Sequence, residues 1–252
     1  MMIAVIVGTA GSGKTYLTGA LSEYIADQGG DVLQMNLDPG VFEDTLPYEP
    51  DINVRDYIKT EEIAQSYNLG PNGALVTSVD LIANHIGDLK QEIRNLAPEY
   101  LLVDTVGQME LFAFRPTGVQ IIEEVFNLPD VRLSLVYLFD PYLCTVSPNS
   151  MLSAILLSLS VFWRFNKPIV NVFSKADLYP GDKIDKALSF MKEPTRLWEE
   201  RAIFDVQHPA DMLDVLNVDN ELFKKDLVPV SAVEGDGLME LFALLKDVWG
   251  TV

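Results

Sequence analysis

A glycine-rich segment at residues 8–15, GTAGSGKT, directly follows a short apolar run at residues 3–7. It matches the pattern G-x-x-x-x-G-K-[ST], in which glycines let successive backbone N–H groups curve around phosphate oxygens. Helical periodicity over residues 14–28 places a helix N-terminus just behind the loop, and helix N-termini favour anions. The combination of apolar strand, glycine loop and helix therefore predicts a nucleotide-binding site in an α/β protein.

Two side chains of this loop have specific roles in that prediction. Lys14 would bridge the β- and γ-phosphates, and the Thr15 hydroxyl would bind Mg²⁺. The alternative is a strand-to-helix turn that holds no ligand, and the strand before and helix after it favour the nucleotide site. The residues of the loop that we expect at the nucleotide are Gly11, Ser12, Gly13, Lys14 and Thr15.

Apolar runs alternate with helical stretches along the chain, which indicates a parallel sheet covered on both faces. The runs that we interpret as further strands are residues 32–37, 100–103, 133–139, 169–173 and 228–230. We expect a three-layer P-loop NTPase fold with a mostly parallel sheet and helical insertions. A single domain over residues 1–252 would carry an insertion at about 40–98 and a peripheral acidic helical segment at about 182–226.

The charge of the chain limits its partners. With 18 Lys and Arg against 37 Asp and Glu, the formal net charge is −19. Non-specific nucleic-acid binding draws on many basic side chains, and an anionic membrane surface would repel this chain. The single cysteine, Cys144, excludes an internal disulfide and agrees with a reducing compartment. No signal peptide or membrane-spanning run is apparent, so we expect a cytoplasmic protein that binds small molecules and proteins.

A second motif begins where the apolar run at residues 100–103 ends. Asp104 at this strand end could hold Mg²⁺ through water. It opens the segment Asp104-Thr105-Val106-Gly107-Gln108, which matches the D-x-x-G-Q pattern by which GTPases sense the γ-phosphate. The Gly107 N–H would contact that phosphate, and Gln108 could orient the attacking water. A strand-end aspartate followed by a turn is common, so the motif gains its weight from the phosphate loop before it.

A third motif follows the run at residues 169–173 and concerns the base. The Asp177 carboxylate could accept hydrogen bonds from guanine N1–H and the exocyclic amine, whereas adenine would leave a buried Asp177 unpaired. The Lys175 stem would lie over the base, and a solvated helix start is the alternative. A backbone N–H at a later strand end would read guanine O6. The residues expected around the base are Ser174, Lys175, Ala176, Asp177, Ser231 and Ala232.

Taken together, the motifs resemble those of the GPN-loop GTPases over essentially the whole chain. The resemblance rests on the phosphate loop followed by Tyr16, on residues 36–39 (NLDP), 46–51 (LPYEPD), 55–56, 68–75 (NLGPNGAL), 104–108 and 171–178. Two positions depart from the family pattern: Val106 stands where Pro is usual, and Gly40 where Ala is common. Neither departure removes a catalytic group.

The resemblance implies a homodimer in which the GPN loop, Gly70-Pro71-Asn72, acts on the partner's nucleotide site. Asn72 would hydrogen-bond the γ-phosphate or the released phosphate, as a neutral counterpart of an arginine finger. Taken alone, the tripeptide would be a surface turn. Tyr16 would lie at the nucleotide, and Asp38 would help to position the water or the metal, although a strand-end Asp-Pro turn is its plainer interpretation.

These expectations converge on a Mg²⁺-dependent enzyme that hydrolyses GTP to GDP and phosphate and serves as a switch or assembly factor. The catalytic groups would be Lys14, Asp38, Asn72 and Gln108, with Glu110 a further candidate for positioning water. Two alternatives remain open: a nucleotide-gated assembly chaperone with negligible turnover, and an ATP-using P-loop kinase or ligase, which would not need Asp177. By family analogy, protein clients would include RNA polymerase subunits.

Overall fold

The computed structural model describes residues 1–193 and 223–250. Its centre is a sheet of seven strands in which every neighbouring pair is parallel, in the order β3-β2-β4-β1-β5-β6-β7. The strands are β1 Met2–Gly8, β2 Val32–Asn36, β3 Ile52–Asn53, β4 Tyr100–Asp104, β5 Arg132–Phe139, β6 Ile169–Phe173 and β7 Phe223–Pro229. The α/β P-loop NTPase fold predicted from the sequence is confirmed.

Helices cover both faces of this sheet. They are α1 Lys14–Asp27, α2 Thr60–Tyr67, α3 Pro71–Leu81, α4 Ile86–Leu96, α5 Met109–Ala113, α6 Pro116–Gln120, α7 Pro141–Val146, α8 Pro148–Phe165, α9 Gly181–Lys192 and α10 Leu238–Trp249. Side-chain caps begin two of them: Asp140 accepts the N–H of Tyr142 at α7, and Ser147 accepts that of Ser150 at α8. Such caps satisfy N–H groups that have no partner within the helix.

Strand β1 shows why the chain forms three layers. Its side chains alternate between the two faces of the sheet. Ile3 and Val5 enter the core beneath α4 and α8, whereas Ala4 and Ile6 enter the core beneath α1 and α10. Both sets are fully buried. A strand that is buried on both faces needs the continuous apolar run seen in the sequence.

Helix α2 begins at Thr60, and α3 and α4 are separated by the 3-10 turn Ile82–His85. One predicted strand boundary was wrong. The last strand begins at Phe223 rather than at 228, so the end of the predicted acidic helical segment is strand. Most of that segment, residues 194–222, lies outside the described residues.

The GPN tripeptide, which taken alone would be a surface turn, forms the start of a helix in the structure. Asn68 ends α2 in the left-handed conformation, Gly70 is the N-cap of α3, and Pro71 is its first residue. Proline suits that position because its fixed φ matches the helix and its missing N–H would have no partner there. The tripeptide therefore stands at the tip of an eleven-residue helix.

Parallel strands place their carboxyl ends at one edge of the sheet, where open α/β sheets bind ligands. The glycine loop after β1, Asp38 after β2, Asp104 at the end of β4 and Ser174 after β6 therefore share one edge. None of the helices in the described ranges is long and apolar enough to cross a membrane.

Candidate nucleotide site

The glycine loop between β1 and α1 has a backbone that few other residues could adopt. Gly13, the N-cap of α1, has a φ of 97°, which lies in the left-handed region. At Gly8, an added Cβ would lie 2.6 Å from Ser12 Oγ and 3.0 Å from Leu138 Cβ, so a side chain cannot fit. Ser12 Oγ is buried and has no hydrogen-bond partner among the described residues. The loop is thus closely packed, and the Ser12 hydroxyl inside it is available to hydrogen-bond a ligand.

Lys14 holds this loop to the loop that follows β4. Its side chain is 5% exposed, and Nζ donates to the carbonyl oxygens of Gly8 at 2.8 Å, Thr9 at 3.0 Å and Gly107 at 3.0 Å. Burial lowers the pKa of Lys14 to about 8, and nearby carboxylates, Asp104 first, partly oppose that shift. Any additional anion that approaches the ammonium group therefore stabilises its protonated form.

Asp104 is the buried carboxylate of the site. Burial raises its pKa to about 6, while the hydroxyl groups of Thr15 and Tyr48 oppose the shift. Tyr48 Oη donates to Asp104 Oδ2 at 3.0 Å, whereas Oδ1 is buried without a hydrogen-bond partner among the described residues. A free carboxylate oxygen beside the Thr15 hydroxyl fits Mg²⁺, which prefers one or two protein oxygens and fills its other positions with water and phosphate.

Asp38 bridges the loops after β2 and β4. Its Oδ1 accepts the N–H of Gly40 at 2.8 Å, and its Oδ2 accepts the N–H of Gly107 at 2.8 Å. The sequence predicted the Gly107 N–H as the γ-phosphate sensor, yet in the structure this N–H donates to Asp38. An N–H makes one good hydrogen bond at a time, so Asp38 and a phosphate oxygen compete for it. Gln108, next in sequence, is half-buried at the N-cap of α5.

Sequence reasoning missed the residues that fix Asp38 in place. Asn36 accepts the N–H of Asp38 at 2.9 Å and donates through Nδ2 to Asn53 Oδ1 at 2.9 Å. Arg55 is 5% exposed and donates to the Pro39 carbonyl at 2.7 Å. Polar residues at the ends of otherwise apolar strands were the available signal, since buried polar groups need partners.

A cavity of about 310 Å³ adjoins the glycine loop, and its walls are mostly apolar. Lys175, in the left-handed conformation, donates from Nζ to the Gly11 carbonyl and lies 4.0 Å from Asp140 Oδ2. The expected nucleotide residues that line the cavity are Gly13, Tyr16, Ser174, Lys175, Asp177 and Ala232. A flat aromatic ring system suits such a pocket because its faces are apolar and its edges polar.

Two expectations about the base site need correction. Asp177 is exposed rather than buried, because it belongs to the short turn Ala176–Leu178 at the rim of the cavity. Ser231 does not line the cavity. Its N–H donates to the Asp236 carbonyl at 2.9 Å and its hydroxyl accepts the Glu234 N–H, so both groups close their own turn.

The GPN loop stands apart from this hydrogen-bonded site. Gly70, Pro71 and Asn72 are all exposed, and a Cβ added at Gly70 would meet nothing within 4 Å. The Asn72 side chain makes no hydrogen bond within the described ranges, 1–193 and 223–250. The structure thus brings together all the predicted phosphate and metal residues of one chain but leaves Asn72 outside that network.

The glycine loop between β1 and α1, with Asp104 on the adjacent strand β4, defines a P-loop NTPase. A family model described as "Conserved hypothetical ATP binding protein" matches residues 6–251. A GPN-loop GTPase of Pyrococcus abyssi is 38% identical over 194 residues, which are 76% of this chain and 74% of that protein. The chain belongs to the GPN-loop GTPase family.

Other relatives agree with this assignment. GPN-loop GTPase QQT1 of Arabidopsis thaliana is 36% identical over 69% of this chain, and GPN-loop GTPase 1 of Dictyostelium discoideum is 31% identical over 94% of it. The chain spans only 58% and 59% of the lengths of these two relatives. A crystal structure of a GTPase from Pyrococcus abyssi in apo form matches with a TM-score of 0.83 and 31% identity, covering 100% of this chain and 98% of that one.

Proposed function

We propose that this chain is a Mg²⁺-dependent GTPase that hydrolyses GTP to GDP and phosphate as a homodimer, with the GPN loop of one subunit acting at the site of the other. The observation that carries the proposal is the division of the site. Lys14, Asp104 and the apolar cavity (the base cavity) all adjoin the glycine loop of one chain. The exposed Asn72 makes no hydrogen bond to any of them.

Lys14 is the principal phosphate ligand in this proposal. Its ammonium group would exchange carbonyl partners for oxygens of the β- and γ-phosphates, where it opposes the charge that develops during transfer. The nearby anions would raise its lowered pKa again and keep it protonated. Thr15 and Asp104 would hold Mg²⁺, which neutralises charge on the same phosphates when bound.

Water positioning falls to the loop after β4 and to Asp38. Gln108 would orient the attacking water, and the Gly107 N–H would turn to the γ-phosphate when Asp38 releases it. Asp38 would then have a free carboxylate oxygen beside the loop after β4, and this oxygen could accept a hydrogen bond from the attacking water.

Support for the trans role of the GPN loop comes from its exposure and from its position at a helix start. The first amides of α3 have no partners within the helix, and the Asn72 amide can donate to a phosphate oxygen. Both groups are exposed and can donate to a phosphate that lies outside their own chain's hydrogen-bonded network, and a second copy of the chain would supply one by symmetry. We also propose that the protein acts as a switch or assembly factor for protein clients, such as RNA polymerase subunits.

The choice of GTP over ATP rests on Asp177 and Lys175 at the cavity. A carboxylate at the rim matches the paired donors of guanine, which adenine lacks. The matching family model carries the words ATP binding, so an ATP-using kinase or ligase is the second candidate. A nucleotide-gated chaperone with negligible turnover is a third.

Calorimetric titration with GTP and with ATP, followed by phosphate release with Mg²⁺ or EDTA, separates these candidates. We expect GTP to bind about tenfold more tightly than ATP, because Asp177 would pair with the guanine donors that adenine lacks, while its exposed carboxylate would stay hydrated beside adenine. Equal affinities would overturn the guanine assignment. Tight GTP binding with negligible phosphate release would favour the chaperone instead.

Light scattering in the presence of GTP and of GDP tests the dimer. We expect the mass of two chains in both states, since the loop acts only across the interface. A single-chain mass in both states would overturn the trans mechanism and leave the nucleotide assignment intact.

A further inference from the structure

Helix α3, which carries the GPN loop at its tip, rests on both loops of its own nucleotide site. The first contact is with the loop after β2. A Cβ added at Gly40 would lie 2.9 Å from Leu75 Cδ1 and 3.3 Å from Asp38 Oδ1, so the backbone at Gly40 approaches both closely. Leu75 thus packs two residues away from the carboxylate that holds the Gly107 N–H.

The second contact is with the loop after β4. Val106, directly before Gly107, is fully buried and forms a small apolar cluster with Val79 and Leu111, against which Leu75 and Val76 pack. This cluster is separate from the two cores of the sheet. It therefore connects α3 to the loop after β4 and to the start of α5.

An ion pair strengthens the second contact. Arg115, just after α5, donates from Nε to Asp80 Oδ1 of α3 at 2.7 Å, and its Nη2 contacts the other carboxylate oxygen. Both side chains are about two-fifths exposed, so we assign this pair a geometric role. A bidentate pair fixes orientation, and here it fixes α3 relative to the turn between α5 and α6.

The two loops beneath α3 are joined to each other through the Asp38–Gly107 hydrogen bond. A phosphate oxygen that takes the Gly107 N–H replaces that bond and removes this direct link between the two loops. Helix α3 then cannot keep both contacts unchanged, because packed interfaces shift between discrete arrangements rather than deforming continuously. A change at the chain's own phosphate site is thereby transmitted to the tip of α3.

We propose that Leu75, Val79 and Val106 are positioning residues that make the orientation of the GPN loop depend on the nucleotide in the same chain's site. The change in the orientation of the GPN loop on nucleotide binding needs only one chain. What this change does in the homodimer rests on the proposed function: GTP bound by one subunit would alter the orientation of the GPN loop that acts on the other subunit's site, so the two sites would be coupled.

Hydrogen–deuterium exchange over residues 71–81 tests this proposal, with no nucleotide, with GDP and with a non-hydrolysable GTP analogue. In the wild type we expect the analogue to change exchange in this helix about tenfold, as a local opening equilibrium shifts. In Leu75→Ala the affinity should stay within about threefold, since Leu75 touches no predicted ligand atom, while the exchange response is lost. Exchange unchanged by the bound analogue in the wild type, or an undiminished response in Leu75→Ala, would overturn the proposal.

Leu81→Ala is the matched control. Leu81 belongs to the same helix and loses the same atoms, but it packs against the main core instead of the two loops. It should keep the exchange response, and the conservative variant Leu75→Met should restore it. Loss of the response in Leu81→Ala as well would mean that any cavity in α3 has this effect, which would overturn the specific role of Leu75.

Kinetics of Leu75→Ala and Asn72→Ala distinguish the two proposals. Leu75→Ala should lower kcat and leave KM unchanged, whereas Asn72→Ala should slow hydrolysis and keep the exchange response. A full rate in Asn72→Ala with the exchange response present would overturn the trans mechanism alone. A slow Asn72→Ala with no exchange response in the wild type would overturn only the coupling through α3.

Discussion

The phosphate loop and the GPN loop are both glycine-led helix starts, yet their surroundings differ completely. Gly13 caps α1 and Gly70 caps α3. Beside the first, Lys14 is 5% exposed and bonded to three carbonyl oxygens; beside the second, Asn72 is exposed. The Lys14 side chain of the phosphate loop has its hydrogen-bond partners within the same chain. The Asn72 side chain of the GPN loop has no such partner in the described residues, as we expect of a group that contacts a second molecule.

The largest expected effect is that of Lys14→Ala on the phosphate side of this comparison. Removing a buried ammonium group deletes its charge-assisted contacts with the phosphates, and we expect GTP affinity to fall about 1,000-fold. Calorimetric titration measures the change. Lys183→Ala, an exposed lysine of α9, is the control and should bind as the wild type does. Unaltered affinity in Lys14→Ala would contradict the assignment of this loop as the phosphate site.

Asp104→Asn should sharpen the comparison by showing that the phosphate side is built for ligands at the expense of stability. Burial raises the pKa of Asp104 to about 6 from 3.8. The ionised carboxylate therefore costs about 3 kcal/mol above pH 6, and the variant should gain about that much free energy of unfolding at pH 7.5. Mg²⁺-dependent hydrolysis should be lost.

The pH dependence of this gain has a definite sign. The folded carboxyl keeps its proton to a higher pH than the unfolded one, so the cost grows from about pH 4 to pH 6 and stays constant above. Urea unfolding without Mg²⁺ should give about half the gain at pH 5 that it gives at pH 7.5. Asp31→Asn, at an exposed position, should show no gain. Equal stability of Asp104→Asn and the wild type at pH 7.5 would refute the burial cost.

Asn72→Ala probes the other side of the comparison. Hydrolysis should slow about 50-fold with GTP affinity unchanged, because the amide would act on the transferred phosphate and not on the bound base. Single-turnover kinetics separate these two quantities. Asn149→Ala, an exposed position on α8, should keep the wild-type rate.

Mixing two inactive variants decides whether Asn72 acts in trans. A Lys14→Ala subunit keeps its GPN loop, and an Asn72→Ala subunit keeps its phosphate loop. Random mixing makes half of the dimers hybrids with one complete site, so about a quarter of the wild-type rate should return. A mixture as slow as its components would rule out exchange of loops across the interface.

Asp177→Asn should have the smallest effect, because Asp177 is exposed at the rim of the base cavity. We expect about a tenfold loss of GTP affinity and a shift towards xanthosine triphosphate, whose carbonyl can accept from the new amide. Competition between the two nucleotides measures the shift. Unchanged selectivity would mean that another group reads the base.

Local patterns were enough to predict the sheet and the phosphate side of the site. The apolar runs predicted β1, β2, β4, β5 and β6 to within one residue at each end, since buried parallel strands are apolar throughout. Strand β3 has only two residues, Ile52–Asn53, and so carries no readable periodicity. The GPN tripeptide taken alone favours a surface turn, but proline and glycine signal both turns and helix starts.

The missed interactions are those that join distant parts of the chain. Asp38 and Gly107 are 69 residues apart in sequence, and Tyr48 and Asp104 are 56 apart. A motif names the groups that a site needs, but which of them bind each other depends on how strands are ordered in the sheet. The exposure of Asp177 likewise follows from the turn in which it lies and not from its motif.

The central position of β1 in the sheet governs how the chain assembles during synthesis. Met2 pairs with Tyr100 on one side and with Arg132 on the other. A ribosome that adds about 5–20 residues per second needs many seconds to supply both neighbours, and until then the apolar strand lacks its native partners. Contacts so distant in sequence also slow folding. We therefore expect nascent chains to engage chaperones until β5 emerges, and the phosphate loop to become able to bind only after that moment.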